Sequence, residues 1–421
     1  MATSRRRLAG RGTMTEGPLH VVFGTGQVGL ALAARLARLD VDVRAVSRRR
    51  AATLAAGVDW RAVDVTDPEA AVDAAKGAAV VYQCLNAPYT RWPELFPALQ
   101  RHVLAAAEHA QALLVSLENV YGYGPTGGTP MTEDLPLAAT TSKGRTRAAM
   151  TAELLAAATA GRVRIAIGRA SDFFGPGVTD SSLGQRVFGN AVAGKRADFI
   201  GNPVLPHTYS YVPDIASGLA TLGTDQRAAG QVWHLPGPET VTTRAVLDLI
   251  ALGVNHPVKV RNVPKLALRA LGLVNPMMRE LAEMTYEFEE PFVLDTAKFQ
   301  STFGAAADPV TRWPQPSPTR SPGIRPRGAQ HDRRQRGANR CRAQPGRCLV
   351  AAGPPGRGPD PTGLRGLLAG SRCPEHRRRA GNRAGLSPSR RTWPGTGREP
   401  APGWERRCSA AVQSSWWRDR S

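Results

Sequence analysis

The amino-acid sequence predicts an α/β fold: a doubly wound parallel sheet, a smaller C-terminal lobe and a disordered Arg/Pro/Gly-rich tail. Three observations carry this. Short apolar, β-branched runs alternate with longer helical stretches from residue 19 to residue 175, the pattern of a parallel sheet covered on both faces. A glycine-rich turn, Gly24-Thr25-Gly26-Gln27-Val28-Gly29, joins the first run to the first helical stretch. The composition then changes abruptly after residue 310.

Leu19–Phe23 predicts the first strand. The helix after it, from about Gln27 to Leu39, places Val28, Leu32, Leu36 and Leu39 on one apolar face. Asp42–Val46 predicts a second strand and Trp60–Val63 a third. Pro68 suits a first helical turn and opens an Ala-rich helix, which leads to a fourth strand at Ala79–Gln83. A long helix from about Pro93 to Ala110 precedes the strand Ala112–Ser116, and a helix near Thr141–Ala160 precedes the strand Val163–Gly168. This is the Rossmann order.

Beyond Gly175-Pro176-Gly177 the alternation is irregular. Short strands are expected near Asp198–Ile200, Tyr209–Val212 and Val232–Leu235, with helices near Pro213–Leu222 and Thr243–Leu252. A helical region from about Pro264 to Phe288 is interrupted at Asn275-Pro276. The expected organisation is an N-terminal arm over 1–18, a dinucleotide-binding Rossmann domain over 19–175, a substrate lobe over 176–305 interleaved with it, and a tail over 306–421. No repeat of roughly 20–50 residues is visible, which argues against a solenoid or propeller.

The chain carries 55 Lys+Arg against 34 Asp+Glu, a net charge of +21, which taken whole suggests an anionic partner. The excess is local. Residues 311–421 hold 24 Arg, no Lys and 6 acidic residues, a net of +18, whereas residues 1–310 hold 31 basic and 28 acidic residues, a net of +3. The same tail has 15 Pro, 15 Gly, no Phe, Tyr or Met and one Ile, Ile324. It has too little apolar surface to offset the entropy of ordering, so disorder is expected. Three readings of it compete: an Arg-rich arm binding nucleic-acid phosphates non-specifically, a linker without a partner, and a stretch read out of frame. The compositional bias of a GC-rich gene favours the last. Cys341, Cys348, Cys373 and His376 match no standard zinc spacing, and no metal site is expected.

Cys84 is the only cysteine before residue 311, so no disulfide framework is available and a reducing cytoplasm is the expected location. No apolar run reaches the roughly 18 residues of a membrane span. Arg5-Arg6-Arg7 is followed by Leu-Ala-Gly-Arg, unlike a secretory signal. Met14 is the more natural start, because the first strand begins a few residues later.

The glycine turn is the strongest chemical signal. Gly24 permits the tight turn, Gly26 lets the backbone approach a pyrophosphate, and Gly29 allows close helix–strand packing. With Thr25, Gln27 and Val28 they form a cradle whose free N–H groups and positive helix end face the phosphates. An NAD-preferring site carries Asp or Glu at the end of the second strand; this chain has Ser47-Arg48-Arg49-Arg50. A hydroxyl and guanidinium groups at Ser47, Arg48 and Arg49 suit a 2′-phosphate, so NADP is the expected cofactor and NAD the alternative. Asp64 and Val65 are placed to contact the adenine, unless Asp64 caps its own turn.

Further motifs recur in order: Val120-Tyr121-Gly122, Thr132-Glu133-Asp134-Leu135-Pro136, Gly168-Arg169 through Gly175-Pro176-Gly177, Tyr211-Val212-Pro213-Asp214-Ile215, and Asp295-Thr296-Ala297-Lys298 before Phe303-Gly304. On these the chain resembles the extended short-chain dehydrogenase/reductases, the NAD-dependent epimerase/dehydratase group, over about residues 19–304. The resemblance implies a nicotinamide cofactor on the Rossmann domain and a small, polar, sugar-like substrate on the lobe. It also implies an oxidoreductase acting at a carbonyl or hydroxyl carbon.

The catalytic pieces depart from that family, whose members use a Tyr-x-x-x-Lys pair and a Ser or Thr. Lys143 stands at the Lys position, but Ala139 occupies that of the Tyr and Leu117 that of the Ser/Thr, with Ser116 one residue off. The glycine spacing also differs from the usual Gly-x-x-Gly-x-x-Gly. Tyr121 and Tyr123 are phenols available at the sheet edge, and Glu118 falls where dehydratase-like relatives place acid/base carboxylates. The expected catalytic candidates are therefore Lys143, Tyr121 and Glu118, with Lys143 also anchoring the cofactor ribose. The alternative is a non-catalytic NADP-binding sensor or scaffold. The partners to expect are a small-molecule substrate and a second copy in a homodimer, with no membrane and nucleic acid only through the tail.

Overall fold

The computed structural model describes residues 17–304, 307–308 and 310–314. Most of the expected N-terminal arm and the tail from residue 315 onward, with its cysteines and the question of reading frame, lie outside the described residues.

The first half follows the expected alternation: β1 (Leu19–Phe23), α1 (Gln27–Leu36), β2 (Asp42–Ser47), β3 (Asp59–Ala62), α2 (Pro68–Ala75), β4 (Ala78–Gln83), α3 (Trp92–Ala110), β5 (Leu113–Asn119), α4 (Ser142–Thr159) and β6 (Arg164–Ala170). Local chemistry sets the boundaries. The Asp67 side chain accepts from the backbone N–H groups of Glu69 and Ala70, with Pro68 at the first turn of α2. Thr141 caps α4 by accepting from Gly144 N at 3.1 Å. α1 ends three residues before its apolar stripe does, since Leu39 N turns back to Leu36 O at 2.8 Å in a tighter turn. β5 is longer than its apolar run because pairing with β6 continues through Leu117↔Gly168, Glu118↔Arg169 and Asn119↔Ala170.

The second half comprises β7 (Asp172–Phe174), a wide π-type turn (Gly184–Gly189) running into α5 (Asn190–Val192), β8 (Ala197–Ile200), β9 (Pro206–His207), β10 (Tyr209–Tyr211), α6 (Val212–Thr224), β11 (Gln231–His234), β12 (Val241–Thr242), α7 (Thr243–Val254), β13 (Val260–Val263), the helical pair α8 (Lys265–Gly272) and α9 (Pro276–Glu283), a 3₁₀ turn (Thr285–Phe288) and α10 (Ala297–Phe303). Seven strands form the main sheet in the order β11-β6-β5-β4-β1-β2-β3, every pair parallel. β11 and α6 fall within the stretch expected as lobe, yet β11 pairs with β6 at the sheet edge and α6 packs beside α1.

Alternate residues of each strand face opposite sides. Val22, Ala45, Val80, Tyr82, Val115 and Ala166 pack beneath α1, α6 and α10, while Val21, Phe23, Val46, Val81, Leu114 and Ile165 pack beneath α2, α3 and α4. Ordered packing runs past the expected boundary near residue 305. Arg35 pairs with Asp308 at 2.7 and 2.9 Å, Thr311 donates to Asp214 at 2.8 Å, and the Trp313 ring stacks on Phe174 at 5.0 Å. No helix among the described residues is long and apolar enough to cross a membrane.

Candidate functional site

The C-terminal ends of β1, β4 and β5 open onto one edge of the sheet, where a doubly wound fold holds its ligands. The glycine turn lies there. A Cβ on Gly29 would stand 1.9 Å from Gly24 O, and one on Gly24, at φ +101°, would stand 2.6 Å from Cys84 O, whereas a Cβ on Gly26 meets nothing within 4 Å. Gly29 thus serves the close packing of helix on turn and Gly24 that of the turn on the chain after β4, while Gly26 faces open space of the kind a pyrophosphate fills. α1 starts at Gly26 with no side-chain cap and no acidic residue in its first turn, so its positive end is free for an anion. Thr25 is half-buried, Val28 turns into the core, and Gln27 donates to Gly177 O at 2.9 Å. This geometry fits a dinucleotide.

At the end of β2, Ser47 Oγ donates to Arg49 O at 2.9 Å and accepts from Trp60 Nε1 at 3.1 Å. Arg48 and Arg49 are exposed, and neither guanidinium has a hydrogen bond among the described residues. Asp64 accepts from the backbone N–H and hydroxyl of Thr66 at 3.0 and 2.9 Å, bonds that hold its carboxyl below the usual range and make it the cap of its own turn. The Val65 side chain is buried under α2 and α3, and its carbonyl takes His102 Nδ1 at 2.7 Å.

Lys143, in the first turn of α4, is 1 % exposed. Its Nζ bonds Glu280 of α9 and lies 4.0 Å from the centre of the Tyr89 ring. Ala139 precedes the helix, so no i, i+4 stacking links it to Lys143. The position is also closed: a Cβ on Gly144 would stand 2.3 Å from Ala139 Cβ, and one on Gly124 2.8 Å from Ala139 Cα. Leu117 packs toward the α1 side, while Ser116 faces the other side, fully buried and with no partner for its hydroxyl.

Glu118 belongs to a buried polar row across β5, β6 and β11, where Glu118 pairs with Arg169 and Arg169 with His234. Its carboxylate accepts from Arg169 Nε at 3.1 Å and lies 2.8 and 2.9 Å from the Thr151 hydroxyl. Arg169 donates to the Tyr123 phenol at 2.7 Å, and that phenol lies 2.6 Å from His234 Nε2. His234 Nδ1 is 2.8 Å from Asp295 O. A carbonyl only accepts, so Nδ1 carries the proton and Nε2 accepts from Tyr123. Burial lowers the His234 pKa, in keeping with this neutral form. Glu118, Arg169, Tyr123 and His234 thus have their charges and protons satisfied by one another.

Tyr121 lies instead among residues that the sequence reading did not single out. Its ring lies 6.0 Å from that of Trp92, beside the Tyr89 phenol. Around it are Asp172 of β7, and Tyr286 and Glu287 of the 3₁₀ turn. Burial first, and nearby Glu287 second, push the Tyr89, Tyr121 and Tyr286 phenols above the usual range. The protonated phenols, with O–H groups to donate, are therefore favoured. Arg147, one turn after Lys143, donates to Leu117 O at 3.1 Å and lies 4.9 Å from the Phe96 ring. The sheet edge thus carries an anion-binding helix end and a buried lysine, and beyond β5 a set of phenols stands around the Glu287 carboxyl. The acidic-aromatic run Tyr286-Glu287-Phe288-Glu289-Glu290 is a sequence feature that could have marked Tyr286 and Glu287.

A model of the NAD-dependent epimerase/dehydratase family matches residues 21–235. Among solved structures, an epimerase from Methanothermobacter thermautotrophicus is similar with a TM-score of 0.59 at 16% identity, over 70% of this chain and 88% of that one. A dTDP-glucose 4,6-dehydratase from Bacillus anthracis, solved with NAD, has a TM-score of 0.58 at 14% identity, over 70% and 93%. A UDP-glucuronic acid 4-epimerase from Bacillus cereus, also solved with NAD, has 0.54 at 16%, over 67% and 91%. At these identities the likeness is one of fold. No curated protein matches the sequence.

Proposed function

The chain belongs to the NAD-dependent epimerase/dehydratase family, and from that premise we propose that it binds NADP at the glycine turn and acts on a carbonyl or hydroxyl carbon of a small, polar, sugar-like substrate. The observation that carries the reading is the open space at Gly26 before an uncapped helix, on the same sheet edge as the buried Lys143. Arg48 and Arg49, exposed at the end of β2, favour a 2′-phosphate over the plain ribose of NAD.

When bound, the nicotinamide supplies or takes a hydride; the protein's part is to position and to manage a proton. Lys143 holds a positive charge at the start of α4 beside the cleft, placed for a cofactor ribose. Tyr121 and Tyr89 retain their protons and donate hydrogen bonds to a substrate oxygen. Glu118 acts at one remove: it fixes Arg169, and through it Tyr123, at the ends of β5 and β6. A cytoplasmic location and a homodimer belong to the same reading.

A second reading, a cofactor-binding sensor without turnover, is favoured by the closed position at Ala139 and by Leu117 where a hydroxyl is usual. Loss of NADPH absorbance against a panel of small aldehydes, ketones and keto-sugars separates the two. Turnover with at least one carbonyl is expected. Saturable NADPH binding with no turnover across the panel would establish the sensor instead.

A further inference from the structure

The 3₁₀ turn Thr285–Phe288 brings among the Tyr89, Tyr121 and Tyr286 phenols a carboxyl that the reading above leaves without a task. Glu287 is 2 % exposed, and its Oε1 has no hydrogen-bond partner. The neighbouring Tyr286 hydroxyl, nine-tenths buried, is also unpartnered. A buried polar atom left unpaired costs free energy, so such groups in a cleft mark a place for a ligand. The other titratable groups here come from several elements. Asp172 of β7 is the charged neighbour of Glu287, and Tyr89, Tyr121 and Tyr286 supply the phenols. His207 of β9 engages Asp172 Oδ2 at 3.0 Å, and Arg186 of the π-type turn faces Tyr89 and Asp172.

Two carboxylates sharing a buried site do not both ionise readily, and Asp172 already has His207 as its partner. Burial, and then Asp172, push the Glu287 carboxyl well above the usual range. Its protonated form is thereby favoured, as is that of the phenols around it. Lys143 is tied to Glu280, and Glu118 to Arg169.

We propose that Glu287 is the acid/base group of this site, in place of the phenol that Ala139 cannot supply. This rests on the oxidoreductase reading above. In the reducing direction a hydride from the reduced nicotinamide forms the new C–H bond at the carbonyl carbon. The C=O π bond opens, and the oxygen takes the Glu287 proton. The carbonyl is reduced, the dinucleotide is oxidised, and the Glu287 carboxylate regains its proton from water. The reverse reaction returns the proton to Glu287.

The test uses the full chain as wild type, Glu287→Gln and Glu287→Asp. Infrared difference spectra at pH 7 should show the C=O stretch of a protonated carboxyl in the wild type and not in Glu287→Gln. NADPH affinity should be unchanged in both variants. Carbonyl reduction should fall about 10²-fold or more in Glu287→Gln, with partial recovery in Glu287→Asp. The wild-type rate should decline as pH rises through the raised carboxyl pKa, and this limb should vanish in Glu287→Gln. An ionised Glu287 at pH 7, or a Glu287→Gln enzyme that reduces carbonyls at the wild-type rate, overturns the proposal and leaves the oxidoreductase reading standing. A wild type that binds NADPH without turnover overturns both.

Discussion

The Lys143 ammonium lies 4.0 Å from the centre of the Tyr89 ring while bonding the Glu280 carboxylate. The first contact comes from the loop after β4, the second from α9, so a single buried charge ties the Rossmann layer to the helical pair α8–α9. Removing one partner of such a pair strands the other. In a double-mutant cycle, Lys143→Met and Glu280→Gln should couple by about 1–3 kcal/mol in urea unfolding. Additive effects would mean the pair is not formed in solution.

The glycine turn separates packing from binding. Gly29→Ala drives a Cβ to 1.9 Å from Gly24 O and should lower the melting temperature sharply. Gly26→Ala meets nothing within 4 Å and should fold normally, yet weaken NADPH binding at least about tenfold by intruding on the phosphate. Equal melting losses in the two variants would contradict this division.

Arg48 and Arg49 bear on cofactor choice. Arg48→Ala and Arg49→Ala should each weaken NADPH about tenfold, the worth of one charge-assisted hydrogen bond, and leave NADH affinity unchanged. Titrations of both dinucleotides check this; parallel losses would place the guanidinium groups elsewhere than at a 2′-phosphate.

The row Glu118–Arg169–Tyr123–His234 makes a stability prediction. Arg169→Leu leaves a buried carboxylate without its cation and should cost about 3–5 kcal/mol in denaturant unfolding. A cost below 1 kcal/mol, on the order of an exposed pair, would show that the row is solvated.

His20 sets an acid dependence. It is 2 % exposed, with Nδ1 3.0 Å from the Tyr82 hydroxyl, and burial lowers its pKa to about 4. Between that value and the ordinary His value near 6.5 the unfolded chain binds more protons, so stability falls as pH is lowered from about 6.5 to 4. Asp214, raised by burial to about 6, acts in the opposite sense: its contribution is present at low pH and is lost as pH rises through 6. Comparing wild type with His20→Asn cancels the Asp214 contribution. The variant should lose less stability across that window, by on the order of 2 kcal/mol. Parallel pH profiles would mean His20 titrates normally.

Much of the Rossmann half was legible in the sequence because its signals are local. The apolar run of β1, the Asp67-Pro68 start of α2 and the three glycines each act within a few residues. The strand near Val232–Leu235 was expected, but its place as the edge strand β11 of the main sheet was not, since four residues of a strand carry no mark of the partner they pair with. Glu118 read as a candidate acid/base carboxylate and Arg169 as part of a motif; only β5–β6 pairing shows them side by side as an ion pair. The cleft was least legible. Tyr89, Tyr121, Asp172 and Glu287 stand far apart in the chain and meet only because separate loops end at one sheet edge. Trp313 was read as part of a tail, although its ring stacks on Phe174 and its indole N–H donates to Glu239 O, next to the Thr311–Asp214 bond.

The central claim, a nicotinamide dinucleotide seated on the glycine turn, is tested most directly by NADPH fluorescence titration of the full chain and of Gly26→Val. Saturable binding by the wild type, lost in a Gly26→Val protein of unchanged melting temperature, is the predicted result. Absence of binding by the wild type, or equal affinity in the variant, would contradict it.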